Sequence, residues 1–129
     1  MKKILVGLLV VGTMSVSLFA YNQEQRVKDM QMMETSMAKI QKGLLRNNKD
    51  MVVEGVDSLK DASTHVEVAP KGYKDYNAIF AKQQSKNIVK YAEKIKENIL
   101  AKHKHAASKS YAEVMGECIS CHNKIRKWN

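Results

Sequence analysis

The sequence predicts an all-α fold, an antiparallel up-down-up-down four-helix bundle, and three observations predict it. The chain has 129 residues but a single proline, Pro70, and six glycines, so backbone breakers are confined to a few places. No segment carries the alternation of apolar and polar residues that a half-buried strand requires. Apolar residues instead recur every three or four positions in four successive stretches with brief polar breaks between them, and short connections favour antiparallel neighbours.

The first stretch spans 23–45. Met30, Met33, Met37, Ile40 and Leu44 alternate spacings of three and four, the seam of a packed helix, and Arg26 extends that face one turn earlier. Asn47 and Asn48 end it. The second stretch spans 49–66, with Val52, Val56 and Leu59 on one face. Residues 67–74, which include Pro70 and Gly72, break the periodicity and read as a loop. The third stretch, 75–101, has an expected buried stripe of Phe80, Ile88, Tyr91, Ile95 and Ile99. Lys102, His103, Lys104 and His105 form the next break. In the fourth, 106–128, Ala107, Tyr111, Val114, Cys118, Cys121, Ile125 and Trp128 follow spacings of four and three. Both cysteines therefore share the core-facing stripe, with His122 beside them.

The first twenty residues are expected to stand outside the bundle. Lys2 and Lys3 form a basic start, Ile4 to Val11 a short apolar run, and Ser17-Leu18-Phe19-Ala20 ends in small residues suited to cleavage. This is the layout of a secretory signal peptide, giving a signal at 1–20 and a folded domain at 21–129. The apolar run falls short of the ~20 residues a membrane-spanning helix needs. The expected location is the periplasm, with no membrane span after cleavage.

Cys118-Ile119-Ser120-Cys121-His122 is a C-x-x-C-H motif, the signature of covalent c-type haem attachment. The two thiols bond to the haem vinyl groups and the histidine imidazole ligates the iron. A disulfide is the alternative for two thiols in an oxidising compartment, but it leaves His122 without a role. A zinc site calls for further ligands, and the chain has no other cysteine and no C-x-x-C or H-x-x-x-H partner pair. Export agrees with attachment, because bacterial haem attachment takes place outside the cytoplasmic membrane. One haem c is expected, bound inside the bundle near one end.

In an up-down-up-down bundle the end of the fourth helix meets the start of the first, the end of the second and the start of the third. Met30 is the inner-seam methionine nearest that end, which makes it the first candidate for the sixth iron ligand. A thioether is a soft ligand that raises the potential of haem iron. Met33 is one turn deeper, Met37 is about 10 Å further from that end than Met30 at 1.5 Å per residue, and Met32 faces off the seam. Ordinary core packing is the competing role for all of them. His65, late in the second helix, is the nitrogen rival, although a histidine there also suits the helix dipole. His103 and His105 fall at the opposite end. Arg26 and Arg126, each one turn from a candidate ligand, could pair with the haem propionates or remain solvated surface charges.

Lysine and arginine outnumber aspartate and glutamate 22 to 13, a formal charge of +9. The basic residues are dispersed, as on a solvated bundle surface, and an acidic redox partner protein would complement them. Export and the lack of a recognisable binding motif exclude nucleic acid. A peroxidase-type enzyme needs a distal acid–base group over open iron, for which only His65 is placed, so no enzymatic activity is expected.

These residues together resemble the class II c-type cytochromes, the cytochrome c-prime family. Cys118-Ile119-Ser120-Cys121-His122 followed by Arg126, and Arg26-Val27-Lys28-Asp29-Met30 near the start, are similar to the family's last-helix and first-helix patterns. The resemblance implies an exported four-helix bundle with haem on its last helix, and it leaves a homodimer through the first two helices open. It also implies that the residue at position 30 lies over the distal haem face. A methionine there gives the low-spin, six-coordinate electron carrier. A leucine-like residue gives the alternative, a five-coordinate cytochrome that binds nitric oxide or carbon monoxide at an open distal site.

Overall fold

The computed structural model describes residues 23–67 and 78–125, and every regular element within them is helical. α1 is Gln23–Leu45, α2 is Lys49–Thr64 with a 3-10 turn His65–Glu67 at its end, α3 is Ala78–Leu100 and α4 is Lys104–Ile125. The first two match the periodic stretches. α4 begins two residues before the expected start, because the break after α3 closes within three residues, 101–103. The expected signal segment 1–20, the loop around Pro70, and Arg126 and Trp128 lie outside the described residues. Among the described residues no helix is long and apolar enough to cross a membrane.

Both short turns are closed by a residue in the left-handed region. Asn47 has φ 56° and Lys102 has φ 64°. This conformation turns the chain so that the amide of Asn48 reaches the carbonyl of Gly43 at 2.9 Å and that of His103 reaches Asn98 at 2.7 Å. These bonds satisfy carbonyls that the helix end would otherwise leave open. Asn48 then starts α2 by accepting a hydrogen bond from the Met51 amide at 3.0 Å. One asparagine thus stops a helix and the next begins one. The Lys104 ammonium donates to the Asn47 side chain, tying the two turns together.

α1 and α2 approach closely because glycine permits it. A methyl group at Gly55 would stand 2.8 Å from Ile40 Cγ1 and 3.1 Å from both the Ile40 nitrogen and the Ser36 oxygen. At Gly43 it would meet Val52 Cγ2 at 2.7 Å. Met33, Met37, Ile40, Val52, Val56 and Leu59 fill this interface and continue into a single core with Ile88, Ile95, Ala107 and Val114. Ion pairs Lys39–Glu54, Lys60–Glu93 and Lys96–Asp57 border it.

The buried stripe of α3 follows expectation at Ile88 and Ile95, with Tyr91 and Ile99 packed against the core, and departs from it elsewhere. Ala81, Ser85, Ile88, Ala92 and Ile95 are buried, while Phe80, Tyr91 and Ile99 are half-buried. Large apolar residues alone mislead there, because small ones let α3 sit close to α2. The Ser85 hydroxyl donates to the Ser63 carbonyl at 2.6 Å, helix to helix. α3 packs along α4 and α2, and α2 along α1, but α1 and α4 barely touch.

Gly55→Ala tests the close approach. Alanine recovers ~0.5–1 kcal/mol of helix propensity over glycine. Overpacking a tight core costs about 1–3 kcal/mol, and here two of the three contacts are backbone atoms that cannot rotate aside. The expected outcome is a lower urea midpoint at unchanged slope, and an equal or higher midpoint would refute the packing argument.

Candidate cofactor site

The space that keeps α1 from α4 is a cavity of about 490 Å³, within the roughly 300–1,000 Å³ range of sites that hold organic ligands. α1 lines it with Met30, Met33 and Met37, and α4 with Tyr111, Met115, Cys118, Ile119, Cys121 and His122. Ser63 and Val66 from the end of α2, and Ala81, Ser85 and Ile88 from α3, complete the wall. The carboxylate of Glu34 and the amide of Gln41 stand at the α1 edge.

Helical spacing explains the grouping. Residues three or four apart share a face, which places Cys118 and Cys121 together and Met30, Met33 and Met37 together. Met33 and Met37 are 7% and 6% exposed and belong to the core, whereas Met30 is only half-buried, packed against that core from the cavity wall. Met32 is 50% exposed, off the seam as its spacing requires.

Both cysteines are free thiols. Burial pushes the Cys118 thiol above its ordinary pKa, and the neighbouring Glu117 carboxylate acts in the same direction. Cys121 is pushed up to about 11, first by burial and then by Cys118 and Glu117. Burial and the adjacent Cys118 also raise Tyr111. The wall therefore favours neutral, protonated sulfur.

His65 takes a different place from the one a sixth ligand needs. Its ring is half-exposed, its Nδ1 lies 3.4 Å from the buried Asp29 Oδ1, and it does not line the cavity. Arg26 is half-buried one turn before Met30 and also stays off the wall. Arg126 lies outside the described residues. His103 and His105 are exposed, one in the turn and one in the first turn of α4. The wall residues that periodicity did not single out are Glu34, Ala38 and Gln41 on α1, Ser63 and Val66 at the end of α2, Ala81 and Ser85 on α3, and Met115 and Ile119 on α4. The small pair Ala81 and Ser85, four apart on the inner face of α3, was the available signal: together they leave a hollow opposite the cysteines.

These residues fit a haem. An apolar hollow bordered by two thiols, an imidazole and a thioether has the donor set for covalent attachment and axial ligation. Among the described residues there is no cluster of three or more histidine, cysteine or carboxylate side chains able to hold a bare metal ion. A haem needs none, since the macrocycle supplies the in-plane ligands. No family model matches the chain, and neither a curated protein nor a solved structure matches it.

Thiolate is the reactive form of cysteine. Raising Cys121 from 9.0 to about 11 depletes thiolate roughly a hundredfold below pH 9. In haem-free protein at pH 8, iodoacetamide should alkylate Cys121 roughly a hundredfold more slowly than in the urea-unfolded chain, measured by peptide mass spectrometry. Equal rates in the two states would show that the wall does not bury the sulfur.

Proposed function

We propose that this chain is a periplasmic monohaem c-type cytochrome that carries single electrons. In this reading the haem is bonded through Cys118 and Cys121, and its iron is ligated by His122 and Met30. The observation that carries the reading is the shared cavity: the first and last helices are held apart by an apolar space bordered by all four residues. Bound haem supplies a reversible one-electron couple, which the protein tunes and shields.

Each side chain has a distinct task. Cys118 and Cys121 anchor the group to one face of α4, one helical turn apart. His122, next to the second anchor, would hold the iron through its imidazole, and Met30 would hold it through sulfur. Met33 and Met37 line the same cavity but are buried in the core, whereas Met30 is only half-buried. The apolar wall excludes water, and a low-dielectric surround disfavours the more highly charged oxidised iron. Arg26 and Arg126 are the candidate propionate partners by their sequence positions.

The proposal includes an antiparallel up-down-up-down order with the site at one end. Contacts between residues far apart in sequence support it. Asp29 meets His65, Ser63 meets Ser85, and Lys124 stands 5.9 Å over the Phe80 ring, all near the cavity, while Asn47 and Lys104 join at the other end. Residues 1–20 are the proposed export signal, removed before the domain functions.

The decisive measurement is the absorption spectrum of protein matured in an export-competent host, in both oxidation states, with and without carbon monoxide. A low-spin spectrum with a sulfur-to-iron charge-transfer band, unmoved by carbon monoxide, is expected. A high-spin spectrum that shifts with carbon monoxide would replace the reading with a gas-binding cytochrome. Met30→Leu should convert the low-spin haem to a high-spin, carbon-monoxide-binding one, and an unchanged spectrum removes Met30 from the iron. Cys118→Ala combined with Cys121→Ala should release all haem on a denaturing gel, and haem retained in that variant defeats covalent attachment.

A further inference from the structure

The outer face of α3 carries a charge pattern that the fold does not use. Lys82, Lys86, Lys90 and Lys94 follow one another at intervals of four residues, and all four are exposed. Like charges at that spacing destabilise a helix by ~0.2–0.5 kcal/mol per pair. None of the four pairs with a described carboxylate, although Lys96 on the same helix bonds Asp57 and the nearby Lys60 bonds Glu93. Lys90 and Lys94 meet only the Tyr91 ring, each 5.7 Å from its centre. The first acidic residue of α3 is Glu93, so the stretch of the helix from Ala78 to Ala92 has basic but no acidic side chains.

The pattern begins at the cofactor end. Ile79, 84% exposed, opens it, and the adjacent Phe80 lies beneath Lys124, two residues beyond His122. An exposed apolar residue beside a basic row has the make-up of a small transient interface, with an apolar point of contact and charged surroundings. Positive potential concentrated on one face accelerates encounter with a negative one.

We infer that the outer face of α3, from Ile79 to Lys94, is the docking surface for an acidic one-electron redox protein, seated beside the end of the bundle that carries the haem. The inference rests on the cytochrome reading and adds to it the face and the charge of the partner. One electron passes between the partner's redox centre and the haem iron; one is oxidised as the other is reduced, and no bond is made.

The test uses the haem-loaded protein and a plant-type ferredoxin, a strongly acidic one-electron donor, as the probe. Stopped-flow rates of haem reduction by reduced ferredoxin are compared at ~10 mM and ~500 mM salt, where screening lengths are about 30 Å and under 8 Å. The variant Lys82→Glu/Lys86→Glu/Lys90→Glu is set against a control of equal charge change at exposed, unpaired lysines elsewhere, Lys42→Glu/Lys49→Glu/Lys109→Glu. The expected result at low salt is a loss of about tenfold or more for the α3 variant and less than about twofold for the control, with the difference gone at high salt. Glutamine at the same three α3 positions should give an intermediate loss. A second readout, independent of electron flow, is protection of Lys82, Lys86 and Lys90 from acetylation when ferredoxin is added.

Equal losses in the two charge-reversed proteins would overturn the inference, because net charge alone would then explain the rate. Binding to vesicles containing phosphatidylserine that disappears only in the α3 variant, with ferredoxin rates unchanged, would also overturn it and make the face a membrane contact. Failure of the cytochrome reading looks different: it leaves no low-spin haem band in the starting protein, whereas failure of the docking surface leaves that band and its reduction by a small neutral mediator intact.

Discussion

The separation of α1 from α4 is the constraint on which the rest of the structure depends. Three helix pairs pack directly, α1 with α2, α2 with α3 and α3 with α4, and the fourth side is left to a cavity. An apolar space of this size without a filling group forfeits dispersion contacts along its whole lining. Its wall is not random: sulfur and imidazole from α4 stand opposite methionines from α1. On the proposed reading the cofactor replaces the missing helix contact, so attachment and folding support each other.

Closeness elsewhere makes that gap affordable. Gly43 and Gly55 let α1 approach α2, and Ala81, Ser85 and Ala92 let α3 settle against its neighbours. Glycine inside a helix is costly, so two of them along one interface mark a position where backbone approach outweighs propensity. With α1 fixed on α2, Met33 and Met37 are buried where the core meets the cavity wall, and Met30 stays half-buried on the same wall. The neighbouring Asp29–His65 contact ties α1 to the end of α2 at the same level.

Much of this was legible in the sequence because periodicity reports directly on which face of a helix is buried. The methionine seam of α1, the valine–leucine face of α2 and the placement of both cysteines on one stripe of α4 all follow from spacings of three and four. Legibility failed where packing is made by small residues. Phe80, Tyr91 and Ile99 drew the stripe of α3 to one side, since size was read as burial, whereas Ala81 and Ser85 are buried because they are small. His65 shows a second limit. Its position near the cavity end was correct, but spacing along one helix says nothing of a carboxylate on another, and Asp29 meets its ring.

The two ends of the molecule divide the work between them. At one end, turns of three residues, each closed by a left-handed residue, hold α1 to α2 and α3 to α4, and Lys104 joins one turn to the other. Short turns of this kind fix the spacing of neighbouring helices with little freedom. At the other end the connection between α2 and α3 is longer, and there the cavity, the cysteines and the start of the lysine row are found. The burial that keeps Cys118 and Cys121 protonated does not require the helices to close on each other, since α3 and the core supply it from one side. On the proposed reading a bulky flat group would occupy the space between α1 and α4, and the three directly packed helix pairs would hold the fold around it.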